Sequence, residues 1–161
     1  MAGEIKLRMA RADEAPLLTM IAARSKSHWP YDKAYLELCN QVTHVTEGDI
    51  QSWIFTVAEN ATQVMGFSGL AEVKSEPMLD HLWIEPEFIG YGIGARLFHD
   101  TVPKAKNLGW KSFLIASDPY AEKFYLKMGA KRIGERESEV RPGFFLPLLE
   151  YDFLKPKATY V

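Results

Sequence analysis

A single cysteine, no apolar run long enough to span a bilayer and almost no net charge set the first limits on this chain. Cys39 has no second cysteine to pair with, which excludes an internal disulfide. A formal net charge of −2 over 161 residues gives no general electrostatic reason to bind nucleic acid or an anionic membrane, and neither is expected as a partner. The opening Met1-Ala2-Gly3-Glu4 lacks the apolar region of a secretory signal, so a reducing cytoplasm is the expected location. Without secretion, Asn60-Ala61-Thr62 reads as a polar turn between strands rather than a glycan acceptor. The sequence also lacks internal repeats, low-complexity tracts and interdomain linkers.

What is present suffices for one domain over residues 1–161. An apolar share of 47% fills a core without metal or disulfide staples, and no metal is expected. Ile5 to Met9 reads as a strand, and Asp13 as the cap of a helix whose apolar positions Leu17, Leu18, Ile21 and Ala22 recur at helical spacing to about Ser27. His28-Trp29-Pro30-Tyr31-Asp32 then interrupts regular structure, before short helices at Tyr35 to Cys39 and Glu47 to Trp53. Ile54 to Glu59, Val64 to Val73 and Met78 to Ile84 alternate as strands of an antiparallel meander.

The third of these strands runs into Glu85-Pro86-Glu87-Phe88-Ile89-Gly90-Tyr91-Gly92-Ile93-Gly94-Ala95. Glycines let the main chain approach an oxyanion and adopt dihedrals other residues resist. Successive N–H groups and the positive end of the following helix can then converge on phosphate. Leu97, Thr101, Ala105 and Leu108 continue that helix to Gly109, with a kink or early end expected at Pro103. A strand at Ser112 to Ala116 follows, then a helix with Asp118 as N-cap, Pro119 at its first position and Gly129 past its end. Strands at Arg132 to Glu137 and Leu146 to Phe153 complete the chain. A nucleotide P-loop would need Gly-Lys-Ser/Thr where Gly94-Ala95-Arg96 stands. A dinucleotide fingerprint would need its third glycine three positions after the second, in an early βαβ unit.

Leu82-Trp83-Ile84-Glu85-Pro86 leading into Ile89-Gly90-Tyr91-Gly92-Ile93-Gly94, followed by Ala121 to Ala130, resembles the GCN5-related N-acetyltransferases over nearly the full length. Ser25 to Asp32 is similar to the Ser-Lys-x-x-Trp-x-Tyr-Asp segment of an uncharacterised bacterial-type branch. The resemblance implies a mixed α/β fold with a mostly antiparallel twisted sheet, splayed parallel central strands and flanking helices. It also implies acetyl-CoA as cosubstrate. Amides from Gly90 through Tyr91, Gly92, Ile93 and Gly94 to Ala95 would hold its pyrophosphate, and Leu82, Trp83 and Ile84 would pair with pantetheine. Asp118 matches a position near the pantetheine arm, and Tyr125 the tyrosine that often faces the CoA sulfur. Ile89 replaces the arginine or glutamine that usually opens the loop, which shifts phosphate binding onto main-chain amides.

The reaction so implied is direct attack of a primary amine on the thioester. Leu82 N–H would polarise the carbonyl and Tyr125 would protonate the leaving thiolate. A lysine-like amine has a pKa of roughly 10.4 and must lose a proton first. Asp80 is the chosen base, placed by strand alternation on the face of Leu82 with His81 pointing away; Glu85 competes. Tyr125 also fits an apolar helical stripe with Ala121 and Met128, where its ring would simply pack. His28, Trp29, Tyr31 and Asp32, with Arg141 to Phe145, would border the acceptor or cover the core. A ping-pong route through Cys39 is disfavoured by its distance in sequence from the cofactor strand. A non-catalytic acyl-CoA-binding or sensing module is one alternative, and an acyltransferase with another acyl group or acceptor is another. Strands and exposed aromatics are compatible with a homodimer.

Overall fold

Hairpins build the first half of the sheet. In the computed structural model, which describes residues 3–155, β1 (Lys6–Met9) pairs antiparallel with β2 (Ile54–Glu59), β2 with β3 (Val64–Val73) and β3 with β4 (Glu76–Ile84). The β2–β3 turn closes on Asn60, whose Oδ1 accepts from the amides of Thr62 and Gln63 at 2.9 Å each. It is thus the polar turn its composition suggests. With β5 (Ser112–Ala116), β6 (Lys131–Glu137) and β7 (Phe145–Asp152), the seven strands lie in the order β1-β2-β3-β4-β5-β7-β6. Among the described strands, only the central β4–β5 pair is parallel. This is the mixed α/β architecture expected from the sequence, mostly antiparallel with one parallel junction.

Helices cover both faces. On one, α1 (Ala15–Ser27) and α3 (Glu47–Ser52) bury Leu18, Ile21 and Ile50 against Phe55, Val57 and Phe67. On the other, α4 (Ile93–Asn107) buries Ile93, Leu97 and Phe98, and α5 (Glu122–Met128) adds Tyr125 to a cluster with Leu79, Phe113 and Ile115. The remaining helix, α2 (Lys33–Val42), is capped by Asp32, whose carboxylate accepts from the Tyr35 amide at 2.8 Å. Among the described residues, no helix is long and apolar enough to cross a membrane.

Two local expectations need correction. Asp13 does not cap α1; a 3-10 turn at Ala12–Glu14 precedes it, and Glu14 accepts from the Arg11 amide at 2.8 Å while pairing with Arg8 at 2.8 Å. Burial decides between the two acids, since Glu14 is enclosed and Asp13 exposed. Of the two outcomes expected at Pro103, the early end does not occur, since α4 continues to Asn107. The carbonyl that proline leaves without a helical donor belongs to His99, and both residues are exposed, so that carbonyl is not left unsatisfied in the interior. On the buried side Thr101 Oγ1 donates to the Phe98 carbonyl at 2.6 Å.

A bulge shapes the centre. Leu70 pairs with Leu79 but Gly69 pairs with His81, so Asp80 is the extra residue in β4. Bulges bend and twist a strand, and this one lies two residues past Met78, whose pairing with Leu114 joins β4 to β5. Beyond that pair the two parallel strands diverge.

Candidate functional site

The divergence leaves the β5-facing main-chain edge of β4 without a partner strand from Leu79 to Ile84. A cleft of about 620 Å³ opens there, lined by Leu82 and Ile84 on one wall, Ile115 and Ala116 on the other, and Phe124 and Tyr125 from α5. Leu82 and Ile84 pack toward Ile93 and Leu97 on the α4 face, while Trp83 packs on the α1 face. The edge between them is main chain, able to pair with an extended amide-bearing ligand as another strand would.

At one end of the cleft lies the glycine turn. Gly90 and Gly92 have φ of 94° and 80°, a conformation that side chains resist, and buried Ile93 anchors the turn to the core. The first bond within α4 runs from the Arg96 amide to the Gly92 carbonyl. The Tyr91 amide donates to Phe88 at 3.4 Å, so it closes the turn instead of joining the expected row. The amides of Gly90, Gly92, Ile93, Gly94 and Ala95 donate to no described residue. Unbonded N–H groups thus cluster at the positive end of the α4 dipole, where an anion is favoured, and Ile89 adds no polar side chain there.

Tyr125 is 7% exposed, with its ring against Phe124 and Phe98 at centroid distances of 5.2 and 6.4 Å. Its hydroxyl makes no hydrogen bond to any described residue, and the side chain lines the cleft. Burial, with the Asp118 charge as a lesser cause, raises its pKa well above the ordinary 10, so it carries its proton throughout the neutral range.

The bulge overturns the simple alternation at Asp80. Successive residues Gly69 and Leu70 face opposite sides of β3, so their partners His81 and Leu79 do too. His81 does point away from Leu82, lying between Phe55 and Phe67 at 5.6 and 5.7 Å. The Asp80 carboxylate, however, reaches toward His81, Oδ2 to Nε2 3.5 Å, while still lining the cleft with 40% of its side chain exposed. Trp83 Nε1 donates to His81 Nδ1 at 3.1 Å. Burial lowers the His81 pKa, so the ring is neutral and its proton sits on Nε2, facing Asp80. The rival base Glu85 is committed elsewhere, accepting two bonds of 2.8 Å from the Arg24 guanidinium.

Asp118 lines the cleft, but its carboxylate is fully engaged. It accepts from Lys26 Nζ at 2.5 Å, Tyr31 Oη at 2.8 Å and the Tyr120 amide at 2.9 Å. The last bond confirms the capping role, though of a 3-10 turn at Pro119–Ala121 that leads into α5. Trp29 stacks on Tyr120 at 5.1 Å and 5°, and both line the cleft. Asp32 is spent on its helix cap and on Arg141 at 2.9 Å. The Tyr35 amide and Arg141 hold its carboxyl below the usual range. Arg141 and Phe144 border a separate hollow of about 310 Å³ with Tyr31. Cys39 is buried in α2 and Phe113 in the core, both outside the cleft. Sequence reasoning missed Arg24, Lys26 and Tyr120; only Lys26 had a signal, inside the Ser25 to Asp32 segment.

A family model described as the acetyltransferase (GNAT) domain matches residues 30–143. The chain belongs to that family. No curated protein matches it. Among solved structures, a GCN5-related N-acetyltransferase from Rhodopseudomonas palustris is similar with a TM-score of 0.79 at 15% identity, covering 94% of this chain and 98% of that one. PaiA N-acetyltransferase from Thermoplasma acidophilum, in complex with coenzyme A, aligns at 0.74 and 20% identity, covering 92% and 99%. YncA of Salmonella typhimurium, a structure with its cofactor acetyl-CoA, aligns at 0.68 and 12%, covering 99% of each chain. At these identities the structural likeness speaks for the GNAT fold.

Proposed function

We propose that this GNAT protein transfers the acetyl group of acetyl-CoA to a primary amine by direct attack. The observation that carries the reading is the splayed β4–β5 edge together with the unbonded amides at the start of α4. Gly90, Gly92, Ile93, Gly94 and Ala95 hold the pyrophosphate through their amides, with Tyr91 shaping the turn. Leu82, Trp83 and Ile84 pair with pantetheine through their main chain, and Asp118 borders that arm.

The amine loses its proton through water to Asp80, the open carboxylate of the cleft, and its lone pair attacks the thioester carbon. Leu82 N–H stabilises the tetrahedral oxyanion. Collapse breaks the carbon–sulfur bond, and the sulfur takes the Tyr125 proton, giving the acetamide and free CoA thiol. Tyr125 recovers a proton from solvent.

Thermal unfolding with CoA, acetyl-CoA and NAD tests the cofactor. A ligand at a hundredfold its Kd stabilises the fold by about 2.7 kcal/mol, and this is expected for the CoA species alone. An amine panel followed by thiol release then tests transfer. No CoA effect refutes the reading; stabilisation without thiol release from any amine reduces it to acyl-CoA binding or sensing.

A further inference from the structure

The chain between α1 and α2 is a strap of residues 28–32, fastened from both sides. At its root, Lys26 at the end of α1 is buried with 8% of its side chain exposed, against Asp118 at 9%. The ammonium lies 2.5 Å from Asp118 Oδ2 and 4.7 and 5.6 Å from the Tyr31 and Tyr35 ring centroids. From within the strap, Tyr31 Oη donates to the other carboxylate oxygen, and Trp29 lies flat on Tyr120 two residues after Asp118. One carboxylate therefore joins α1, the strap and the turn that starts α5. Burying charged groups is costly unless they are paired, and here the ammonium and the carboxylate pair with each other.

The geometry points to Lys26 as a positioning residue: through Asp118 it latches the strap across the cleft so that Trp29 walls the acceptor side. The Asp118 carboxylate serves this latch rather than the pantetheine arm. This assignment rests on the cleft being the acetyl-CoA site, and it makes Trp29 the side chain that limits the acceptor's bulk. The main-chain contacts proposed for the cofactor, the glycine-turn amides and the β4 edge, lie outside the latch, and Asp118 borders the pantetheine arm without bonding it.

Amide hydrogen exchange and CoA titration calorimetry on the intact protein separate the roles. Lys26→Met is expected to speed exchange across 28–32 by about tenfold or more, with unchanged protection over 79–84 and a CoA Kd within about threefold of wild type. Tyr31→Phe removes one bond to the carboxylate and gives a smaller acceleration in the same segment. If Lys26→Met fails to fold, Lys26→Met with Asp118→Asn removes both charges and restores folding but not strap protection, and Tyr31→Phe still reports. Where an amine is acetylated by wild type, Lys26→Met raises the KM for that amine and leaves the KM for acetyl-CoA unchanged. Unchanged exchange in the strap of Lys26→Met and Tyr31→Phe overturns the latch. A CoA Kd weakened about tenfold by either change overturns it too, by assigning the pair to the cofactor site. Absence of CoA binding by wild type would instead refute the proposed function, while the exchange data would still decide the latch.

Discussion

Tyr125→Phe isolates the proton proposed for the leaving sulfur. Phenylalanine preserves the ring, which holds the contacts with Phe98 and Phe124. The lost hydroxyl bonds to no described residue and lines the cleft, so stability should change by less than about 1 kcal/mol. CoA stabilisation should persist, because the contacts proposed for pyrophosphate and pantetheine are main chain. Turnover should not persist: removing a positioned general acid costs about 10²–10⁴ in rate, or roughly 2.7–5.4 kcal/mol of barrier at 1.36 per tenfold. The assay is thiol release under saturating acetyl-CoA, from pH 6 to about 10, the ordinary tyrosine value. Because burial raises the Tyr125 pKa, the acid stays protonated across that interval, and the deficit should be constant with pH. Wild-type kcat in the variant would make Tyr125 a packing residue. A rate loss matched by lost CoA affinity would show that the ring position, not the proton, had been disturbed.

Three further outcomes follow from the same geometry. A Cβ at Gly66 would stand 2.7 Å from the Trp83 carbonyl; because that atom is main chain of β4, Gly66→Ala should destabilise by about 1–3 kcal/mol in denaturant melts and weaken CoA binding. Gly92→Ala forces a side chain into φ of 80° with open space around it, so it should cost about 1–2 kcal/mol through backbone strain alone and reduce the CoA-induced shift in melting temperature. His81 has a folded pKa below its ordinary 6.5. The unfolded imidazole therefore binds a proton first, and the stability it contributes above pH 6.5 is lost as pH falls through the lowered value. NMR titration should place its midpoint below 6.5, and His81→Leu should flatten that part of the pH–stability curve.

Much of this protein is written locally. Asn60 turns the β2–β3 hairpin by bonding its own neighbours, Gly129 ends α5 at φ of 106°, and Gly90 and Gly92 take positive φ where the strand-to-helix turn needs them. Each depends on side chain or backbone within a few residues, so periodicity and punctuation sufficed to place β2, β3 and β5 at their bounds and to mark the glycine turn before α4. The family resemblance, carried by that same contiguous stretch, was legible for the same reason.

What the tertiary structure decided are pairings between segments far apart in the chain. The Asp80 bulge exists because β4 spends two residues, from Leu79 to His81, where β3 spends one, and no period-two reading of β4 alone contains it. Glu85 lost its place as rival base to Arg24, 61 residues away, and Asp118 acquired Lys26 from 92 residues away. Charge and hydrogen-bonding capacity belong to a residue's type and can be read from the sequence. Whether that capacity is free for chemistry depends on which distant group has already taken it, and packing alone determines that.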